Sequence, residues 1–498
     1  MSSNESFGVF IIYTGGTIGS LPKDENDPLS PLAPAPLERV MALLPNYDKM
    51  DRKLVIGDKR IRLGSYSWPD PIDSSNIKLE DWVALAKVIK SNYNDYEGFV
   101  VLHGTDTLAY TASALSFMLE NLNKPVIVTG SQRPIGQLRS DAVQNLVTSI
   151  EMAAAKSLGA TVVPEVCVFF RDELYRGCRT TKLSASSYNA FNSPNFPALG
   201  VAGEHIVINN FYKAQGSAQA LHVVEKLSPD IASMDIFPGM SPTLLENMLS
   251  SQGLRGIVLQ TFGTGNAPST KEFLNAIDNA VSSGKLIVDI TQCRSGEVEL
   301  GLYDVSAGLL SRGVISGMDM TPEAALTKLS VVLGSEDDIN VAADKMQINL
   351  RGEQRQSVFN LHFNSGSITE DGGSATVGAL RDMVNGRDLY NPQKLQRAVF
   401  RIMGLEIPGE KRGRIELKAY IDMPDANEKT SEEGNPHFLG RNMKRWNASD
   451  GPESIFLTVT EQARAFVDNK HQNSITVVTL DGTPVTWKKL NIAFFVDP

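Results

Sequence analysis

The feature that most constrains this chain is a repeated unit: a short uninterrupted apolar run, a cluster of Gly, Thr, Ser and Asp, then a stretch with helical spacing. Residues 8–13 stop at Thr14-Gly15-Gly16-Thr17, residues 98–102 at His103-Gly104-Thr105-Asp106-Thr107, and residues 125–128 at Thr129-Gly130-Ser131-Gln132. Apolar runs bounded by glycine suit parallel strands covered on both faces, because such strands have no solvent side to leave polar. Between the runs, Trp82, Leu85, Ala86 and Ile89 share one helical face, as do Leu108, Ala112, Leu115 and Leu119. The alternation predicts an α/β fold whose N-terminal domain is a doubly wound parallel sheet. A further run over residues 162–170 precedes Arg179-Thr180-Thr181-Lys182.

The pattern restarts near residue 227, with strands expected at 256–260 and 285–290 and helices at 269–281 and 323–333. Past residue 352 the character changes to β-favouring runs at 414–421 and 474–480, with a turn region at 365–373 and a solvated loop at 425–436. Asp481-Gly482 separates the run 474–480 from 483–490, a strong short-range hairpin signal. The expected division is an α/β domain over 1–208, a linker over 209–226, a smaller α/β domain over 227–352 and a β-rich domain over 353–498. The Pro-rich stretch 22–36 follows the first strand closely enough to be a mobile loop over a site.

Composition narrows the partners. With 47 Lys and Arg against 57 Asp and Glu, the net charge of −10 offers no broad cationic surface, so neither nucleic acid nor membrane is expected as a partner. The 3 cysteines, Cys167, Cys178 and Cys293, are too few for a disulfide framework and point to a reducing compartment. No apolar window is long enough for a membrane span, and the first run is too short for a signal-peptide core. A soluble cytoplasmic protein is therefore expected.

In parallel sheets ligands lie beyond the carboxyl ends of the strands. The three strand ends would bring together the hydroxyls of Thr14, Thr17, Thr105, Thr107 and Ser131 with the single carboxylate of Asp106. A threonine is a poor nucleophile until a base or cation helps remove its proton, and Lys182 is a candidate helper. Desolvation would lower the lysine pKa, whereas Asp106 would raise it. Competing chemistries lack their motifs: Gly15-Gly16-Thr17-Ile18-Gly19 is not G-x-G-x-x-G, and no Walker sequence or G-x-S-x-G elbow occurs. The histidines show no zinc-like spacing, so no metal is expected, and His103 reads as structural.

These residues resemble the bacterial-type L-asparaginases. Tyr13-Thr14-Gly15-Gly16-Thr17-Ile18-Gly19, His103-Gly104-Thr105-Asp106-Thr107 and Thr129-Gly130-Ser131-Gln132-Arg133-Pro134 look like the signature blocks of that family. Asp73-Ser74-Ser75, Arg179-Thr180-Thr181-Lys182 and Gly263-Thr264-Gly265-Asn266-Ala267-Pro268 are further matches, over roughly residues 7–335. The Asp-Ser-Ser and Gly-Asn-Ala-Pro variants are similar to the cytoplasmic type I branch. The resemblance implies a cofactor-free enzyme, a homodimer or homotetramer, that hydrolyses L-asparagine to L-aspartate and ammonia. It also implies Thr14 as nucleophile, Thr105, Asp106 and Lys182 as a second polar triad, Tyr303 near the nucleophile, and Asp73, Ser74 and Ser131 as substrate-binding residues. In some type I relatives the segment matching Thr291-Gln292-Cys293 belongs to an allosteric site. Here Gln260 stands where an arginine is expected, which removes a bidentate carboxylate partner. The residues leave open a mixed glutaminase-asparaginase, an RNA-linked amidotransferase subunit, and a catalytically silent sensor or scaffold using the C-terminal domain. The purpose of residues 353–498 is not implied by the resemblance.

Overall fold

The structure is a computed structural model and describes residues 8–24, 30–210, 219–300, 304–369, 373–378, 394–410, 412–448, 452–467 and 474–497. It divides into two compact units, one of Met1–Pro229, Met320–Ser335 and Leu350–Glu353, the other of Asp230–Asp319, Glu336–Asn349 and Gln354–Pro498.

The first unit is built on a 10-stranded sheet. Its centre is parallel and runs Val166–Phe170, Val126–Thr129, Gly98–Leu102, Val9–Gly15, Lys59–Ile72. Every residue of the first four of these strands is buried, which explains their unbroken apolar runs. Antiparallel strands close both edges, so the sheet is mixed where sequence patterning predicts a parallel one. Edge strands need only one buried face and therefore lack the continuous apolar signal. The helix Leu108–Met118 is buried nearly all round, Thr111, Ser113 and Ser116 included, because the helix Pro322–Ser335 packs on it. In the expected mobile loop, Ser20–Pro22 pairs antiparallel with Leu32–Pro34, and residues 25–29 lie outside the described residues. Within the expected linker, His222–Val223 pairs with Leu119–Glu120.

Residues 350–353 return to this first unit. Glu353 meets Lys328 at 2.6 Å with both side chains at 0% exposure. Glu353 also accepts the backbone N–H groups of Leu350 and Arg351, while Arg179 Nε donates to the Gly352 carbonyl at 2.6 Å. Burial pushes the Glu353 carboxyl up, but Lys328 and those N–H groups outweigh it and hold it below the usual range.

The second unit contains a 4-stranded parallel sheet, Ile231–Asp235, Gly256–Thr261, Leu286–Thr291 and Ile315–Ser316. Pro242–Leu249 and Lys271–Ser282 supply helices, each opened by a hydroxyl cap, Ser241 on Leu244 N–H and Thr270 on Phe273 N–H. The β-rich region forms two 4-stranded antiparallel sheets. One runs Ser357–Phe363, Lys489–Val496, Leu395–Leu405, Glu453–Thr458, and the other runs Ser374–Gly378, Ser474–Thr479, Arg412–Ile421, Phe438–Asn447. Both contribute to one core, with Phe400, Ile402 and Ile492 from the first and Leu417, Ile475 and Val477 from the second.

The hairpin expected at Asp481-Gly482 does not form. Gly482 takes φ +72° and Asp481 Oδ1 accepts the Thr483 N–H at 3.2 Å, so the turn is present. Its flanks diverge, however. Ser474–Thr479 pairs with Arg412–Ile421 and Ser374–Gly378, whereas Val485–Trp487 pairs with Gly366–Ile368 and Lys489–Val496 joins the other sheet. Ser474–Thr479 is buried at nearly every position, and only a central place between two partners satisfies it. The expected turn region at 365–373 likewise contains the strand Gly366–Ile368.

Candidate active site

Thr14 sits where the first strand loses register: Tyr13 pairs with Ser67, but Gly15 pairs with Ile72. Such irregularities re-aim a side chain at a strand end. Thr14 is 2% exposed and donates its hydroxyl to the Leu102 carbonyl at 3.0 Å, tying it to the strand that leads into Thr105. Gly16 adopts φ +85°, and a Cβ there would lie 2.4 Å from Gly104 Cα, so only glycine lets these two loops touch.

Lys182 donates to Thr105 Oγ1 at 2.9 Å and to Asp106 Oδ1 at 2.8 Å. The lysine side chain is 17% exposed and Asp106 67%, so the pair has one face in the protein and one in solvent. The backbone of Lys182 is held by pairing with Phe191, and Thr181 beside it donates to Glu323 Oε1 at 2.8 Å. Alternation along the strand then turns Lys182 the other way, toward Thr105. A direct 2.9 Å contact allows proton exchange between Thr105 and Lys182.

Ser74 is buried, its carbonyl accepts the Thr107 hydroxyl at 2.7 Å, and a Cβ on Gly104 would lie 2.5 Å from its Oγ. Asp73 is exposed and caps the following turn through Ser75 N–H and Oγ–H, which hold its carboxyl below the usual range. Ser131 is buried on the next loop, where its hydroxyl donates to the Arg133 carbonyl at 2.6 Å. That loop is joined to the Thr105 loop by His103 N–H donating to the Thr129 carbonyl at 2.9 Å. The structure thus brings Thr14, Thr105, Asp106, Lys182 and Ser74 onto adjoining loops, with Asp73 and Ser131 flanking them. Tyr303 lies outside the described residues.

Several supporting groups carry little local signal. Trp82 Nε1–H donates to Thr111 Oγ1 at 2.9 Å, Thr111 meets His103 Nε2 at 2.9 Å, and His103 Nδ1 meets the Gly104 carbonyl at 2.7 Å. A carbonyl can only accept, so Nδ1 carries the proton and Nε2 receives the Thr111 hydroxyl. Burial lowers the His103 pKa to about 4, which keeps the ring neutral. Both ring nitrogens are thus engaged within the protein, and the ring holds the carbonyl next to Thr105. On the other side Asp141 accepts the N–H groups of Gln132 and Arg133, and buried Asn145 donates to the Gly130 carbonyl at 2.9 Å. Asp141 and Asn145 stand one helical turn apart, and polar residues at that spacing in an apolar helix are the only trace they leave in the sequence. Among the described residues, no group of three or more His, Cys, Asp or Glu could hold a metal ion.

Residues 8–213 match the asparaginase N-terminal domain family and residues 230–346 the glutaminase/asparaginase C-terminal domain family. L-asparaginase 1 of Escherichia coli is 43% identical over 347 residues, 69% of this chain and 97% of that protein. Among solved structures, L-asparaginase I from Vibrio cholerae superposes with a TM-score of 0.62 at 39% identity, covering 70% of this chain and 98% of the other. A 60 kDa lysophospholipase of Homo sapiens is 39% identical over 359 residues, 69% of this chain and 60% of that protein.

Proposed function

The chain belongs to the asparaginase family, and from that premise we propose that it hydrolyses the side-chain amide of L-asparagine, releasing L-aspartate and ammonia. The observation that carries the reading is the Lys182–Thr105–Asp106 cluster, hydrogen-bonded on a loop that abuts the Thr14 loop. In the first half-reaction Thr14 Oγ attacks the amide carbon, the C–N bond breaks, and ammonia leaves with the threonine proton. The resulting β-aspartyl ester is then cleaved by water, which restores Thr14. Thr105 and Lys182 carry the proton for nucleophile or water, and a group positioned for such transfer contributes about 10²–10⁴ in rate. Asp106 is exposed enough to take the substrate's α-amino group. Ser74 and Ser131 offer hydroxyls to its carboxylate, while Asp73, which can only accept, is assigned to the side that holds the ammonium. Tyr303 is assigned beside the nucleophile in the same reading.

A homodimer or homotetramer working in the cytoplasm completes the proposal. Three free cysteines support a reducing compartment, and among the described residues no helix is long and apolar enough to cross a membrane. Ammonia release by the purified protein is the test. Asparagine is expected to be turned over in preference to glutamine, and Thr14→Ala and Thr105→Val are each expected to lower kcat about 10²-fold or more. No ammonia from either amide, or full activity in Thr105→Val, would overturn the assignment.

A further inference from the structure

The strand Leu395–Leu405 directs Ala398, Phe400 and Ile402 into the sandwich core. Its other face carries Arg397 and Arg401 on either side of Val399, which packs against Met318, Val358, Ala493 and Phe495. A cavity of about 240 Å³ opens on this face within the second unit. Arg397, Arg401 and Phe495 line it together with Glu297 and Glu299 from the loop before Leu300.

Arg401 is only 8% exposed, yet its Nε meets no hydrogen-bond partner and no carboxylate pairs with it among the described residues. Its charged neighbours are the cations Arg397 and Lys489. The guanidinium carbons of Arg397 and Arg401 lie 4.3 and 5.7 Å from the centre of the Phe495 ring. A ring face attracts a cation but accepts little, whereas a guanidinium has five N–H donors to satisfy. Burial and Arg397 lower the Arg401 pKa to about 10, so it remains a cation at neutral pH. Nearby carboxylates do not compensate Arg401: Glu297 pairs with Arg355 at 3.2 Å and feels Arg397 as well, and Asp497 is held by Gln356 and Gln396 at 3.0 and 2.7 Å. A buried charge without a counter-ion inside a cavity calls for an anion from solution.

The cavity also limits which anion fits. At about 30 Å³ per molecule of liquid water it has room for roughly eight waters, the size of a small metabolite. Glu299 in its lining repels a second negative group, and Leu310, Val358 and Phe495 offer apolar contact to a carbon chain. We propose that the cavity binds a small monocarboxylate, its carboxylate held by Arg401 and Arg397 and its carbon chain resting on Val358, Leu310 and Phe495. A cationic far end would be accepted beside Glu299, so amino acids fall within the class.

Isothermal titration of the full-length protein with butyrate, γ-aminobutyrate and inorganic phosphate tests this. Both carboxylates are expected to bind saturably, with affinity roughly tenfold or more weaker in Arg401→Gln and in Arg397→Gln. Thr105→Val, which removes part of the Thr14 centre in the other unit, is expected to leave this binding unchanged. Half-buried Arg397 provides a decisive variant if Arg401→Gln does not fold. Absence of saturable binding by either carboxylate, equal affinity in a folded arginine variant, or preferential binding of phosphate would each overturn the proposal.

Discussion

Asp289 stands in the middle of the strand Leu286–Thr291, 0% exposed, with neither carboxylate oxygen in hydrogen-bonding geometry with a partner. Burial pushes its pKa from 3.8 to about 8, against a small opposing pull from the Thr261 hydroxyl. Between about pH 4 and pH 8 the folded protein therefore holds a proton that the unfolded chain has released. Stability falls with rising pH across that window and is flat outside it. The interval spans about 4 pH units at about 1.4 kcal/mol each, which sets a ceiling of about 6 kcal/mol. Asp289→Asn keeps the shape and removes the titration. Wild type and variant are expected to be similar near pH 4.5, with the variant pulling ahead steadily up to pH 8. For a unit of this size, a difference of several kcal/mol corresponds to ten degrees or more in Tm. Thermal unfolding of both proteins at half-unit pH steps measures the difference and cancels every other titrating group. Parallel Tm curves for the two proteins would refute the reasoning, because they would mean that Asp289 is ionised in the folded state.

Two further outcomes concern the first unit. His103 is neutral when folded and has its pKa lowered to about 4, so the folded protein binds fewer protons than the unfolded chain between about pH 4 and 6.5. Its contribution is intact above pH 6.5 and is lost on acidification. His103→Gln should flatten the acid limb of the Tm profile, and an unchanged acid limb would exclude His103 as its source. Lys328→Met leaves the Glu353 charge buried and is expected to cost about 3–5 kcal/mol in denaturant unfolding, with partial recovery in the double variant with Glu353→Gln. A loss below about 1 kcal/mol would show that the pair does not hold residues 350–353 in place.

The parallel centre of the large sheet was legible because each strand there is buried on both faces, so its apolar run is uninterrupted and stops at a glycine. Thr14, Thr105 and Lys182 could be named as candidates because they stand in motifs at or after strand ends, and the structure places Lys182 against Thr105 and Asp106. What escaped was everything decided by distant partners. Asp481-Gly482 makes its turn, but the burial of Ile475 and Val477 is satisfied by strands far away in sequence, so local spacing named the wrong partner. The Trp82–Thr111–His103 relay joins three residues that are unremarkable singly. Arg397 and Arg401 look like ordinary outward positions of a β-strand until Phe495 and the Glu297 loop close around them.

The buried Lys328–Glu353 pair sets a limit on where this polypeptide can be shortened. The relatives described above match about 70% of the chain, and the first strand of the sandwich, Ser357–Phe363, lies just past Glu353. A proteolytic clip or a premature stop after Gly352 would discard the sandwich together with the counter-ion of a lysine that has no access to water. A clip only two residues later would keep that counter-ion. The point at which the chain can be cut without stranding Lys328 is thus set to within a residue or two by electrostatics. A comparison of chains ending on either side of it would separate the contribution of the module from that of a single carboxylate.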